Sequence, residues 1–142
     1  ALRLEKNFPT WFRELRPIDG PFEAGMDRFI RLEKPDFIGT AAAVEEQKGG
    51  GTLRRVSMIV EATDADVLGD EPIWHNNKVI GWVTSGGYAH YVDKSLAQGY
   101  VPKEIANDLG KGSFAIEIMG ELRKATIIAE PLFDPDGKRM RA

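Results

Sequence analysis

His75 and His90 are the two histidines of the sequence, and there is no cysteine, so histidine-based general-base or metal chemistry would have to start from them. Zinc-binding histidines sit at short helical spacings with a carboxylate nearby. Neither histidine lies in such a pattern, so both read as turn or surface residues and no metal site is expected. Ser85, His90 and Asp93 can be assembled on paper into a nucleophile, a base and an orienting acid. Ser85 lacks the strand-to-helix elbow that exposes a nucleophilic serine, and no catalytic residue is assigned. Missing cysteines exclude disulfides, thiolate catalysis and cysteine-held zinc. Glu45-Glu46 read as a solvated helix face, and Asp64, Asp66 and Asp134-Pro135-Asp136-Gly137 as turns. None of these carboxylates makes an acid–base pair.

Binding chemistry has better candidates. Arg54-Arg55 opens an alternating run, and Arg55 points away from Val56, toward either solvent or a cleft. A guanidinium facing a cleft suits a carboxylate, because its planar fork donates two parallel hydrogen bonds. Ser85-Gly86-Gly87-Tyr88 is glycine-rich but has strand signals on both sides, where a phosphate cradle would open a helix. A bulge or chain reversal using positive φ is the simpler reading. Trp11, Trp74 and Trp82 could stack on a flat ligand, but aromatics in β-rich chains serve packing more often, and Trp82 is assigned to packing.

The elements that would position these residues come next. The 142 residues suit one domain of ordinary size. Hydrophobic residues make up 42% and charged residues 29%, and the net charge of −3 leaves no basic footprint for nucleic acid. No apolar run approaches the ~20 residues that span a bilayer, so no membrane partner is expected, and a cytoplasmic location is. The chain opens at Ala1 without an initiator Met, which reads as a piece of something longer.

Residues 1–34 carry Pro9, Pro17 and Pro21 and read as irregular, yet hold Phe8, Trp11, Phe12, Phe22 and Phe29, which need a surface to pack on. Asp36 is placed to cap a helix over about Phe37–Lys48, ended by Gly49-Gly50-Gly51. Leu53–Glu61 alternates, with Val56, Met58 and Val60 on one face. Pro72–Trp74 and Val79–Ser85 read as strands joined by a tight turn at His75-Asn76-Asn77-Lys78. Ser113–Met119 and Leu122–Ala129 form another pair about Gly120. The expected fold class is mainly β: a small β-barrel preceded by an irregular segment and one short helix.

Four segments, in order, resemble the glycine-cleavage T-protein (aminomethyltransferase) superfamily in its C-terminal part. They are Leu2-Arg3-Leu4-Glu5-Lys6 with Pro21-Phe22-Glu23-Ala24-Gly25-Met26, then Lys34-Pro35-Asp36-Phe37-Ile38-Gly39, then Val79–Gly87, then Ala97-Gln98-Gly99-Tyr100-Val101-Pro102. Gly69–Ile73 and Ala125–Pro135 are most similar to the folate-side C-termini of dimethylglycine and sarcosine dehydrogenases.

The resemblance implies that residues 1–34 are the tail of an upstream folate-binding domain of the same chain and 35–142 a C-terminal β-barrel domain. It implies a whole protein that carries FAD in an N-terminal part and oxidises an N-methyl amine to an iminium. Tetrahydrofolate then captures the one-carbon unit as 5,10-methylenetetrahydrofolate. Arg55 lines up with a family arginine near the folate and would hold the glutamyl tail. Phe29 falls where the family places an aromatic wall of the folate site. The family's proton-managing aspartate has no counterpart here, so these residues alone are expected to be inactive. Two alternatives stay open: the C-terminus of a stand-alone aminomethyltransferase, with a lipoyl carrier protein as partner and no flavin, or a non-catalytic barrel that serves packing.

Overall fold

A computed structural model describes residues 1–107 and 113–142. Six antiparallel strands close into a barrel: β1 (Leu53–Val60), β2 (Pro72–His75), β3 (Lys78–Ala89), β4 (Lys94–Pro102), β5 (Phe114–Ile118) and β6 (Glu121–Ile128). Around the barrel their order is β1-β4-β3-β2-β5-β6. Each strand is hydrogen-bonded to two neighbours, β1 to β6 over Ser57–Val60. The mainly β class expected from the sequence is the class observed, and the helices are short: α1 (Leu2–Glu5), α2 (Thr40–Glu45) and α3 (Lys103–Ala106). Among the described residues no helix is long and apolar enough to cross a membrane.

Strand alternation fills the barrel. Val56, Met58 and Val60 of β1 meet Ile73, Val83, Val101, Ile116 and Ile127 in one apolar core. The turn between β2 and β3 has Asn76 at φ 48° and Asn77 at φ 63°. Those are the two positive values a two-residue hairpin needs to match strand twist, and asparagine supplies them cheaply. Gly86 and Gly87 do not reverse the chain. β3 runs through them, its register shifts between Val83 and Ser85, and the reversal follows beyond Ala89.

The expected helix over Phe37–Lys48 is shorter and is not capped by Asp36. Gly39 stands at φ 92°, which breaks the helical path, so α2 begins at Thr40, whose hydroxyl pairs with the backbone of Phe37. A wider turn over Glu46–Gly50 continues it, and Gly49 at φ 134° ends it within the expected glycine run.

Residues 1–34 wrap the outside of the barrel as a strap. Leu4 of α1 joins Ala89 and Leu96 in a second small core, with Ile59, Val92 and Leu132 against it. This explains β4, which is buried along nearly its whole length. Ala97 and Val101 face the barrel interior, while Leu96, Gln98 and Tyr100 face out, under the strap. Glu14 is the deepest fastening. Its carboxylate is fully buried and receives Thr84 Oγ1 at 2.7 Å, Thr10 N at 2.8 Å, Arg3 Nη1 at 3.0 Å and the Ser85 hydroxyl. Its carbonyl accepts Tyr100 OH at 2.6 Å.

Candidate functional site

Arg55 is delivered by β1 on the face opposite Val56, as the alternation requires. Its backbone N–H donates to Glu23 O at 2.8 Å, which ties the strap to the strand. Its side chain donates from Nε to Ala24 O at 2.8 Å and from Nη1 to Asn7 Oδ1 at 2.8 Å. Both acceptors are uncharged. Burial pushes the guanidinium pKa down; Tyr100 and the Glu14 carboxylate oppose that, and the smaller effects of Arg54 and Arg3 add to it. Arginine stays protonated regardless, so a half-buried cation has only uncharged hydrogen-bond acceptors among the described residues, with the Glu14 carboxylate acting on it from further off.

Phe29 ends a single 3-10 turn, Asp27–Phe29. Its ring is 62% exposed, with the Arg28 guanidinium carbon 4.7 Å from its centroid. Arg55 and Phe29 come together as two walls of one cleft of about 460 Å³. Lys6, Arg28 and Arg55 line it, with no carboxylate among its lining residues, and Phe8, Met26 and Phe29 supply apolar surface. On the other side of Arg55 lies a recess of about 320 Å³ bordered by Arg54, Asn7 and Ser57. Lys6 is paired with Asp134 at 3.6 Å, which leaves Arg28 and Arg55, beside an exposed aromatic face, as the cations that suit a flat ligand with an anionic tail.

The remaining candidates fall away. Ser85 donates to Glu14, and His90 is exposed with its ring edge-on to Tyr88 at 5.1 Å, so no triad forms with Asp93, whose carboxylate accepts Tyr88 OH. Among the described residues no group of His, Cys, Asp and Glu could hold a metal. Trp82 stacks on Tyr100 at 5.8 Å under the Arg16 guanidinium, and Trp74 Nε1 donates to Glu117 at 3.0 Å. Trp11 alone of the three tryptophans is open, at 67% exposure.

Sequence reasoning missed Asn7, Lys6 and Arg28 as site residues. The available signal was weak: Arg28 adjoins Phe29, and Asn7 follows a helical Leu2–Glu5 where a left-handed residue ends a helix. It also missed the buried acids of the strap. Burial pulls the Glu14 pKa up, but the hydrogen bonds from Ser85, Thr84 and Thr10 and the charge of Arg3 outweigh it and hold the group below its ordinary value. Glu23 shifts the same way: burial opposes it, and the backbone N–H groups of Leu53, Gly20 and Thr52 prevail.

Known proteins carry the same architecture. The chain is 43% identical over 143 residues to the mitochondrial dimethylglycine dehydrogenase of Rattus norvegicus, covering 99% of this chain and 16% of that protein. It is 33% identical to the mitochondrial sarcosine dehydrogenase of Homo sapiens, again over 99% of this chain and 16% of that one. An aminomethyltransferase of Parasynechococcus marenigrum is 32% identical, over 94% of this chain and 36% of its own length. The chain therefore spans about a sixth of the two dehydrogenases and about a third of the transferase. Among solved structures, the glycine cleavage system aminomethyltransferase T of Bartonella henselae superposes with a TM-score of 0.82 at 25% identity, over 94% of this chain and 37% of that one. Residues 54–134, which hold all six strands but the first residue of β1, match the glycine cleavage T-protein C-terminal barrel domain, and the chain belongs to that family.

Proposed function

We propose that this chain is the folate-side C-terminal part of a flavin-dependent dimethylglycine or sarcosine dehydrogenase, and that the cleft between Arg55 and Phe29 holds the tail of tetrahydrofolate. The observation that carries this reading is the meeting of a half-buried Arg55, bonded only to uncharged acceptors among the described residues, with the exposed Phe29 ring in a cleft whose described lining holds no carboxylate. The higher identity to dimethylglycine dehydrogenase than to the transferase favours the dehydrogenase branch. When bound, tetrahydrofolate supplies the amine that takes up the one-carbon unit as 5,10-methylenetetrahydrofolate. Arg55 receives a glutamyl carboxylate, Arg28 adds positive potential, and Phe29 gives the ring system an apolar wall. Holding the tail fixes the distant reacting end, since positioning alone can supply about 7–11 kcal/mol of a barrier. FAD belongs to a part of the protein outside these residues, and the proposed compartment is the cytoplasm.

Arg55→Ala in the full-length protein is expected to weaken tetrahydrofolate binding by about 2 kcal/mol or more, roughly thirtyfold. Titration calorimetry checks this, and equal affinity in variant and wild type would sink the assignment. The 142-residue chain also shows Trp11 and Phe12 at 67% and 79% exposure, side chains suited to meet an upstream folate-binding domain. In oxidative footprinting both are expected to be labelled in the 142-residue chain and protected in the full-length protein. Labelling at the same rate in both would place that domain elsewhere.

The fold match to an aminomethyltransferase favours a second reading, a stand-alone transferase served by a lipoyl carrier protein. The mass and visible spectrum of the native full-length protein separate the two: a large chain with flavin absorption, or a shorter colourless one.

A further inference from the structure

Asn7 occupies an unusual place in the cleft. α1 ends at Glu5 with Lys6 as its cap, and Asn7 takes φ 60°, with its N–H on Leu4 O at 3.0 Å and the N–H of Phe8 on Arg3 O at 2.8 Å. That pair of bonds is a left-handed helix terminator, and asparagine is one of the few residues that adopts it readily. The geometry aims the side chain at the outer face of the barrel. There Asn7 Oδ1 receives Arg55 Nη1 at 2.8 Å, Ser57 Oγ at 2.6 Å and Gln98 Nε2 at 3.1 Å.

Three donors converge on an oxygen with two lone pairs, where an ionised carboxylate would offer about four acceptor sites. Close by, Gln98 Oε1 is buried with no partner among the described residues. By hydrogen-bond count and by charge, the position suits aspartate, which tolerates the same backbone conformation. The amide instead leaves Arg55 with no carboxylate in hydrogen-bond contact among the described residues. Gly25, at φ 72°, keeps the far side open: a Cβ there would lie 3.5 Å from Arg55 Nη2.

We infer that Asn7 is a specificity-determining residue: its neutral amide fixes Arg55 in place without neutralising it, and so reserves the guanidinium for a carboxylate of the ligand. This rests on the folate-tail reading of the cleft and deepens it. Aspartate at the same position would satisfy the donors, close an internal ion pair and compete with the ligand for the same cation.

The test uses the full-length protein with Asn7→Asp, Asn7→Gly and Arg55→Ala. Each is titrated with tetrahydrofolate, and in parallel with 6-methyltetrahydropterin, which has no carboxylate tail, and each is melted. Asn7→Asp is expected to melt at or above the wild-type temperature and to lose about tenfold or more in tetrahydrofolate affinity, with the pterin unaffected. Asn7→Gly keeps the backbone conformation but loses the oxygen. It should melt lower and lose less affinity than Asn7→Asp.

Wild-type tetrahydrofolate affinity in Asn7→Asp, alongside a weakened Arg55→Ala, would overturn the role of Asn7 and leave the folate-tail reading standing. No loss in either variant would overturn both. An Asn7→Asp protein that melts well below wild type, or that loses tetrahydrofolate and pterin equally, would show that the amide serves folding only and would overturn the inference.

Discussion

Glu14→Ala is expected to destabilise the 142-residue chain by about 3–5 kcal/mol, the range for removing one partner of a buried ion pair. The carboxylate is fully buried, and its loss strands the Thr10 N–H and the Ser85 hydroxyl at the strap–barrel interface and removes the acid partner of Arg3, which keeps Phe8 O at 3.2 Å. Thr84 keeps an alternative acceptor in Gln98 O at 3.0 Å, so the effect falls mainly on the other three. Urea denaturation measures it, and a change below 1 kcal/mol would show that the strap is held by apolar contacts alone.

The same residue makes a signed prediction about acid. Its folded pKa lies below the ordinary value of 4.5. A group whose pKa is depressed on folding contributes stability in full above its unfolded value, and that stability is lost as pH falls through the folded one. The gap between wild type and Glu14→Ala should therefore be widest at neutral pH and shrink as pH drops below 4.5. A gap that widens in acid would reverse the assigned sign. Glu23 is depressed for the same kind of reason, so the Glu14→Ala variant keeps some acid sensitivity.

Gly81→Ala is the second large effect, expected at about 3 kcal/mol or more. A Cβ at Gly81 would stand 1.9 Å from Tyr100 O and 3.3 Å from Val101 Cα. These are backbone atoms of β4 and cannot rotate aside, so β3 and β4 would have to separate beside the Trp82–Tyr100 pair that carries their register. Gly99 meets Trp82 O at 2.5 Å from the other side and should behave alike. Gly120→Ala is the control. Nothing lies within 4 Å of a Cβ there, and only its φ of 83° resists a side chain, a cost of about 1 kcal/mol. Thermal melts that rank Gly120→Ala as the worse of the two would mean that β3 and β4 approach less closely than described.

The sequence alone determined the parts of this protein that keep one wet face or one local rule. β5 and β6 alternate because their inner side chains fill the barrel while the outer ones are more open to water, and β1 alternates in residue type although the strap covers its outer Arg55 and Ser57. The Asn76-Asn77 turn is legible because positive φ at two successive positions selects asparagine. The absence of cysteine and of histidine patterns settled which chemistry to set aside. Arg55 and Phe29 were nameable in advance through family resemblance, and their meeting in one cleft was not.

Tertiary structure decided the rest, for a physical reason that recurs. β4 gives no alternating signal because the strap covers its outer face as the barrel covers its inner one, and period two vanishes when both faces are dry. Glu14 looks like a solvated acid in an irregular stretch, yet its donors Thr84 and Ser85 lie 70 and 71 residues away. Asn7 reads as the end of one helical turn, but what it does depends on Arg55, 48 residues on. Local pattern reports what a residue's neighbours in sequence require. Whether a charge is buried, paired or left open is set by groups that only the closed barrel and its strap bring together.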